Sequence, residues 1–207
     1  QAAGANALLL PAVSYQPLRD EEVFSLFETV TRHVSVPVCI YDNPGTTHFT
    51  FTDELHGRLS SLKGVRSVKI PGVPDSAAAA TERVNALRQH LRPGVTIGIS
   101  GDAYAGLGLN AGCEVWYSVC GGLFPEMAKQ ITEAAAAKDH QRVAALTTRL
   151  EPLWSLFRKH SGSLRVIAAA AGVLGLTDMD CLPRPLQPLS AGDIADIANV
   201  IRALELK

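Results

Sequence analysis

The 207-residue chain is 47% hydrophobic and 19% charged, with a formal net charge of -1. This is an ordinary globular balance with enough apolar material for a sizeable core, which excludes disordered and collagen-like classes. Lysine and arginine are scattered and no positive field results, so a nucleic-acid partner is not expected.

The chain opens on "QAAGANALLLP", an Ala-rich stretch closed by Gly4 that reads as the tail of a helix running into a strand. A helix tail without its helix predicts further residues ahead of it. The apolar run at 7–13, "ALLLPAV", is the first predicted strand and ends on Ser14 and Tyr15. "RDEEVFSLFETVTRHV" follows with acids in its first turn, as a helix start favours. "VPVCIY" at 36–41 is the second strand, and "DNPGTT" after it is a turn. There Gly45 would let the backbone approach a ligand, and Thr46 and Thr47 offer hydroxyls. "FTDELHGRLSSL" is a helix capped by Thr52 or Asp53, and "VRSVKI" at 65–70 is the third strand. "PDSAAAATERVNALRQHL" is a helix capped by Asp75 or Ser76, "VTIGIS" at 95–100 the fourth strand and "CEVWYSV" at 113–119 the fifth. Beyond it, residues 125–138, 140–160, 163–175 and 190–205 all read as helices. In the last, Ser190 is the cap, and Ile194, Ile197, Ala198 and Ile201 form the apolar face.

Strand and helix alternate with a beat of about 30 residues, the signature of βαβ units and a parallel sheet. The strands read as continuous apolar runs, which predicts a sheet covered on both faces. No GxGxxG and no P-loop follows a strand, so a nucleotide-binding doubly wound sheet loses its best support. A TIM (β/α)8 barrel gains instead, because polar residues gather at successive strand ends: Ser14 and Tyr15, then Tyr41 with Asp42 and Asn43, Lys69, Ser100 with Asp102, and Tyr117 with Ser118. Barrel enzymes assemble their sites at that end. Residues 1–124 are assigned to a barrel part, and 125–207 to its last helix and a C-terminal helical appendage that packs or contacts other subunits.

Cys39, Cys113, Cys120 and Cys181 form no CxxC pair, so buried, reduced thiols are expected rather than a zinc or redox motif. No apolar run approaches the roughly 20 residues that span a bilayer. The first residues lack a secretory leader pattern, so a cytoplasmic protein without a membrane partner is expected.

Lys69 is the residue with the strongest chemical implication. An amine attacks a carbonyl only when unprotonated, and withdrawal from water disfavours an ammonium. Such a lysine forms a Schiff base with a keto compound, whose iminium draws electrons from the neighbouring carbon. The alternative is a strand-end lysine that snorkels to solvent. Tyr41 ends the strand before it and can relay protons into the same pocket; otherwise its ring packs and its hydroxyl meets water. Asp102 either holds a pocket hydroxyl or caps the next helix, and His48 either reaches substrate or is a solvated loop residue. No pair of histidines stands at metal-ligand spacing with a carboxylate, so neither metal nor other cofactor is expected.

"ALLLPAVSYQP", "VPVCIYDNPGTT", "VRSVKIPG", "ISGDAYAGLGLNAG" and "EVWYSVCGG", in this order, resemble the dihydrodipicolinate synthase / N-acetylneuraminate lyase family of class I pyruvate-dependent aldolases. The resemblance runs from the fourth barrel strand to the C-terminal helices. It implies that Lys69 is the Schiff-base residue, Tyr41 the proton shuttle and Tyr15 a second tyrosine that some members donate across a subunit interface. Thr46, Gly101, Asp102 and Tyr117 are the expected substrate-side residues. A 2-keto acid such as pyruvate is the implied small-molecule partner, and a homo-oligomer, dimer or tetramer, the implied assembly. The family's first three strands and a GTTGE-like motif are expected upstream, since a closed sheet cannot omit them without exposing edges. Two departures bear on substrate. Genuine dihydrodipicolinate synthases carry an arginine where this chain has Thr46, and a small aliphatic residue is frequent where it has Tyr117. Both point toward another 2-keto acid aldolase or dehydratase. A sialic-acid-type lyase, a true synthase and a catalytically silent keto-acid binder are the rival readings.

Overall fold

A computed structural model describes residues 1–206. Strands β1 (Leu8–Pro11), β2 (Val38–Tyr41), β3 (Val65–Ile70), β4 (Thr96–Ser100) and β5 (Val115–Tyr117) form one sheet in chain order, every pair parallel. Helices α1 (Asp20–His33), the single turn α2 (Pro44–Thr47), α3 (Asp53–Ser60) and α4 (Ala77–His90) occupy the crossovers, and α5 (Ala105–Asn110) precedes β5. Two compact units result: residues 1–100 with 107–117, and residues 101–106 with 118–207.

In the first unit the helices start where their side chains permit. At α1 the Glu22 carboxylate reaches back to accept from the Arg19 amide at 2.8 Å. Thr52 caps α3 by accepting from the Leu55 amide at 3.1 Å, and Ser76 caps α4 by accepting from that of Ala79 at 3.2 Å. Each satisfies an amide that the first turn would otherwise leave unpaired. Ile40, Val68, Ile70, Ile97 and Ile99 join Val23, Phe27, Leu55, Leu59, Val84 and Leu87 in one buried core on the helix side of the sheet.

The strands are not apolar on both faces, contrary to expectation. Successive strand residues point to opposite sides, and Cys39, Tyr41, Ser67, Lys69 and Gly98 therefore share the face away from that core. Leu9 on the edge strand is 45% exposed. At the start of the chain the Gly4 amide closes a turn on the Gln1 carbonyl at 2.9 Å, with Gly4 at φ 87°.

The second unit contains α6 (Pro125–Ala136), α7 (His140–Arg149), α8 (Glu151–Lys159), α9 (Leu164–Val173) and α10 (Ala191–Leu204). The single helix expected over 140–160 is two. Pro152 lacks an amide proton and its ring collides with the preceding turn, so the chain breaks at Leu150 and restarts with proline in the first turn of α8. Ser190 caps α10 by accepting from the Asp193 amide, and Ile197, Ile201 and Leu204 are buried. Cys39, Cys113 and Cys120 are buried free thiols, whereas Cys181, in the proline-rich segment before α10, is exposed and corrects that part of the expectation. No helix among the described residues is long and apolar enough to cross a membrane.

Candidate active site

Parallel register sets three residues side by side. Tyr41 on β2 pairs with Lys69 on β3, which pairs with Gly98 on β4. The Lys69 Nζ lies 4.3 Å from the centroid of the Tyr41 ring and 6.0 Å from that of Tyr117. No carboxylate stands within ion-pair distance of Lys69 among the described residues, so aromatic faces are what its amine meets. The Tyr41 Oη accepts a hydrogen bond from Asn43 Nδ2 at 3.2 Å, which leaves the phenol proton available for donation elsewhere. The strand ends are tied together beneath these groups: the Asp42 amide donates to the Lys69 carbonyl at 3.0 Å, and Ser100 Oγ to the Ile70 carbonyl at 2.7 Å.

Tyr117 does not stand in the pocket as a free phenol. A Cβ on Gly98 would overlap its ring, so the ring occupies the notch that glycine leaves. Its hydroxyl donates to Ser67 Oγ at 2.8 Å and meets Cys39 Sγ at 3.1 Å, and Thr96 Oγ1 also donates to Ser67 Oγ at 2.8 Å. Burial, with a lesser contribution from the Cys39 hydrogen bond, pushes the Tyr117 hydroxyl up to about 12. The phenol is neutral at physiological pH and its polar end is committed.

The turn "DNPGTT" is one turn of helix, α2, and Gly45 sits in it without a positive φ; the left-handed residue is His48, at φ 57°. Thr46 is exposed at its surface, whereas Thr47 is buried and donates to the Asn43 carbonyl. Tyr15 is 99% exposed and makes no hydrogen bond or ring contact among the described residues. It shares the wall of a cavity of about 260 Å3 with Ser14, Gln16, Thr47, His48 and Phe49, and is not brought against Lys69 within this chain.

In the second unit, Gly101 has φ 77°, a conformation glycine adopts freely. The buried Asp102 carboxylate accepts from Ser118 Oγ at 2.9 Å, the Val119 amide at 3.1 Å and the Cys120 amide at 2.9 Å. Asp102 thus holds the 3-10 turn at Cys120–Gly122.

One pair escaped sequence reading. His56 on α3 is fully buried, stacked on the Phe51 ring at 5.0 Å, and its Nε2 lies 3.4 Å from Asp42 Oδ2 without hydrogen-bond alignment. Burial is the main cause that pushes Asp42 up to about 6 and His56 down to about 4; the nearby Asp53 and Arg83 make smaller contributions. The signal lay in helical spacing: residues 55, 56, 59 and 60 of "DELHGRLS" all face inward, which puts His56 on the core stripe.

The sequence matches the dihydrodipicolinate synthetase family over residues 1–204. It is 30% identical over 207 residues to 4-hydroxy-tetrahydrodipicolinate synthase of Parvibaculum lavamentivorans, covering 98% of this chain and 67% of that protein. It is 31% identical over 192 residues to the synthase of Bartonella bacilliformis, covering 90% of this chain and 61% of that one. The fold superimposes on the crystal structure of dihydrodipicolinate synthase from Agrobacterium tumefaciens with a TM-score of 0.91 and 41% identity, over 98% of this chain and 67% of that chain. Across the curated relatives first matched, the chain spans 48 to 67% of their length.

Proposed function

The chain belongs to the dihydrodipicolinate synthetase family, and on that premise we propose that it forms part of a (β/α)8-barrel lyase that binds pyruvate or another 2-keto acid as a Schiff base on Lys69. Residues 1–124 then supply barrel strands four to eight, and 125–207 the last barrel helix and the appendage. The observation that carries the reading is the pairing of Tyr41 with Lys69 at adjacent strand ends, amine over ring at 4.3 Å.

The chemistry follows from those two groups. The Lys69 amine attacks the keto carbon, forming a C–N bond as the carbonyl oxygen takes a proton; loss of water gives the iminium. The iminium withdraws electrons from the adjacent carbon, which gives up a proton or a bond to an aldehyde fragment. Tyr41 moves protons to and from the substrate oxygen, its own oxygen held by Asn43. Tyr15, pointing into solvent, supports that relay in a neighbouring subunit of a homo-oligomer.

Thr46 favours an acceptor other than aspartate semialdehyde, because a threonine cannot supply the two-pronged grip of a guanidinium on a carboxylate. A sugar-acid dehydratase or a non-lysine-pathway aldolase fits that residue. The second reading, a true 4-hydroxy-tetrahydrodipicolinate synthase, is favoured by the relatives of that name at 30% identity. Gly101 and Asp102 remain proposed substrate neighbours on family resemblance alone.

Borohydride reduction in the presence of pyruvate tests the proposal. Peptide mass analysis should find the reduced pyruvyl adduct on Lys69. An unmodified Lys69 in folded, intact enzyme would sink the mechanism and leave the silent keto-acid binder.

A further inference from the structure

We propose that Tyr117 is a positioning residue for Lys69: its ring, seated in the notch at Gly98 and tied by its hydroxyl to Ser67 and Cys39, closes the side of the lysine that β4 leaves bare and holds the amine against Tyr41. The inference rests on the Schiff-base reading of Lys69.

The geometry argues it in three steps. Lys69 has Tyr41 beside it on β2, but its partner on β4 is Gly98, which has no side chain with which to confine it. Tyr117 pairs with Ser100, two residues further along β4, and its ring leans back over Gly98 into that vacancy. Its hydroxyl then reaches past β4 to Ser67, two residues before Lys69, and to Cys39, two residues before Tyr41. Tyr117 therefore runs as a strut beneath the lysine, from β5 to β2.

A cation near the face of an aromatic ring is attracted by the ring's quadrupole, within about 6 Å of the centroid. The Lys69 Nζ has one such ring at 4.3 Å and another at 6.0 Å. The iminium is a cation, so the same two rings favour the intermediate. A residue acting this way influences imine formation, where the nitrogen must be aimed at the keto carbon.

The size departure at Tyr117 is absorbed by the Gly98 notch. What the phenol offers to Lys69 is a fixed ring face; its hydroxyl has other partners.

The test compares Tyr117→Phe, Tyr117→Leu, Gly98→Ala, Ser67→Ala and the double variant Gly98→Ala/Tyr117→Leu with wild type in the intact enzyme. The measured quantity is the initial rate of borohydride trapping at subsaturating pyruvate, alongside kcat and KM. Tyr117→Leu and Gly98→Ala should each slow trapping about tenfold, the first by removing the ring and the second by displacing it. Tyr117→Phe and Ser67→Ala keep the ring and cut only its tether, so each should lose roughly two- to threefold. The double variant should lose less than the two single losses combined, because the ring that the alanine methyl displaces is gone and only its 3.1 Å approach to Val115 Cβ remains.

Trapping at the wild-type rate in Tyr117→Leu, or additive losses in the double variant, would overturn the inference. If Tyr117→Leu does not fold, Ser67→Ala and Tyr117→Phe decide instead, and unchanged trapping in both overturns it. Absence of an adduct in wild type defeats the Schiff-base reading itself, and so is distinguishable from failure of Tyr117's role.

Discussion

Asp42 Oδ2 stands 3.4 Å from His56 Nε2, with Asp42 6% exposed and His56 not exposed at all. The two shift in opposite senses and their effects on stability oppose each other. Asp42 is raised from 3.8 to about 6, so its contribution is fully present below 3.8 and is lost as pH rises toward 6. His56 is lowered from 6.5 to about 4, so its contribution is present above 6.5 and is lost as pH falls toward 4. Each amounts to on the order of 3 kcal/mol, and between pH 4 and 6 they nearly cancel. Asp42→Asn removes one limb only. Urea denaturation of that variant should show stability climbing with pH across this window more steeply than wild type, by roughly 2–3 kcal/mol in total. Parallel curves for the two proteins would show that the carboxylate is not held as a buried acid.

Tyr41→Phe removes the only proton the ring can give while leaving its face against Lys69 at 4.3 Å. Turnover should fall about ten- to hundredfold, as for a lost acid/base group, with the Lys69 adduct still trapped by borohydride. Asn43→Ala, which removes the hydrogen bond to Tyr41 Oη, should lose less than Tyr41→Phe. Steady-state kinetics at several pH values check both, and unchanged turnover in Tyr41→Phe removes Tyr41 from proton transfer.

Gly108 carries a packing constraint that has nothing to do with turn conformation. A Cβ there would meet Cγ1 of Ile99 at 2.5 Å and its Cβ at 2.7 Å, and Ile99 is fully buried in the sheet core. Gly108→Ala overpacks that contact and should cost roughly 1–3 kcal/mol, read as a lower denaturant midpoint at unchanged slope. A midpoint equal to wild type would mean that α5 shifts away from β4 at little cost.

How much of this was legible follows from the range of each signal. The strand 65–70 and Lys69 at its end were readable because strand composition and flanking Gly64 and Pro71 are local. The break at Leu150 was equally local, since Pro152 stood in plain view, but the apolar spacing on either side concealed it. The Tyr117 strut could not be read, because it depends on Gly98, Ser67 and Cys39, up to 78 residues distant, meeting on one sheet face. Sequence shows the residue types of such a network, and only parallel register brings them together. The Asp42–His56 pair is a third case: its members lie 14 positions apart, on a strand end and a helix, and only the inward stripe of α3 hinted at it.

Thr46→Arg addresses the acceptor directly. Thr46 lies on the exposed side of α2, held by its amide to the Asn43 carbonyl at 2.9 Å, so a longer side chain there meets solvent and not the core. A guanidinium at that position adds a two-pronged, charge-assisted grip suited to an acceptor carboxylate, and leaves Lys69 and Tyr41 untouched. The kcat/KM for aspartate semialdehyde should rise about tenfold, against an unchanged KM for pyruvate and unchanged borohydride trapping of Lys69. The split matters, because a gain confined to the aldehyde locates the acceptor subsite beside α2, whereas a change in pyruvate affinity would place residue 46 against the keto acid. A ratio of the two substrates equal to wild type would show that Thr46 does not face the acceptor, and the argument against a lysine-pathway synthase would lose its footing.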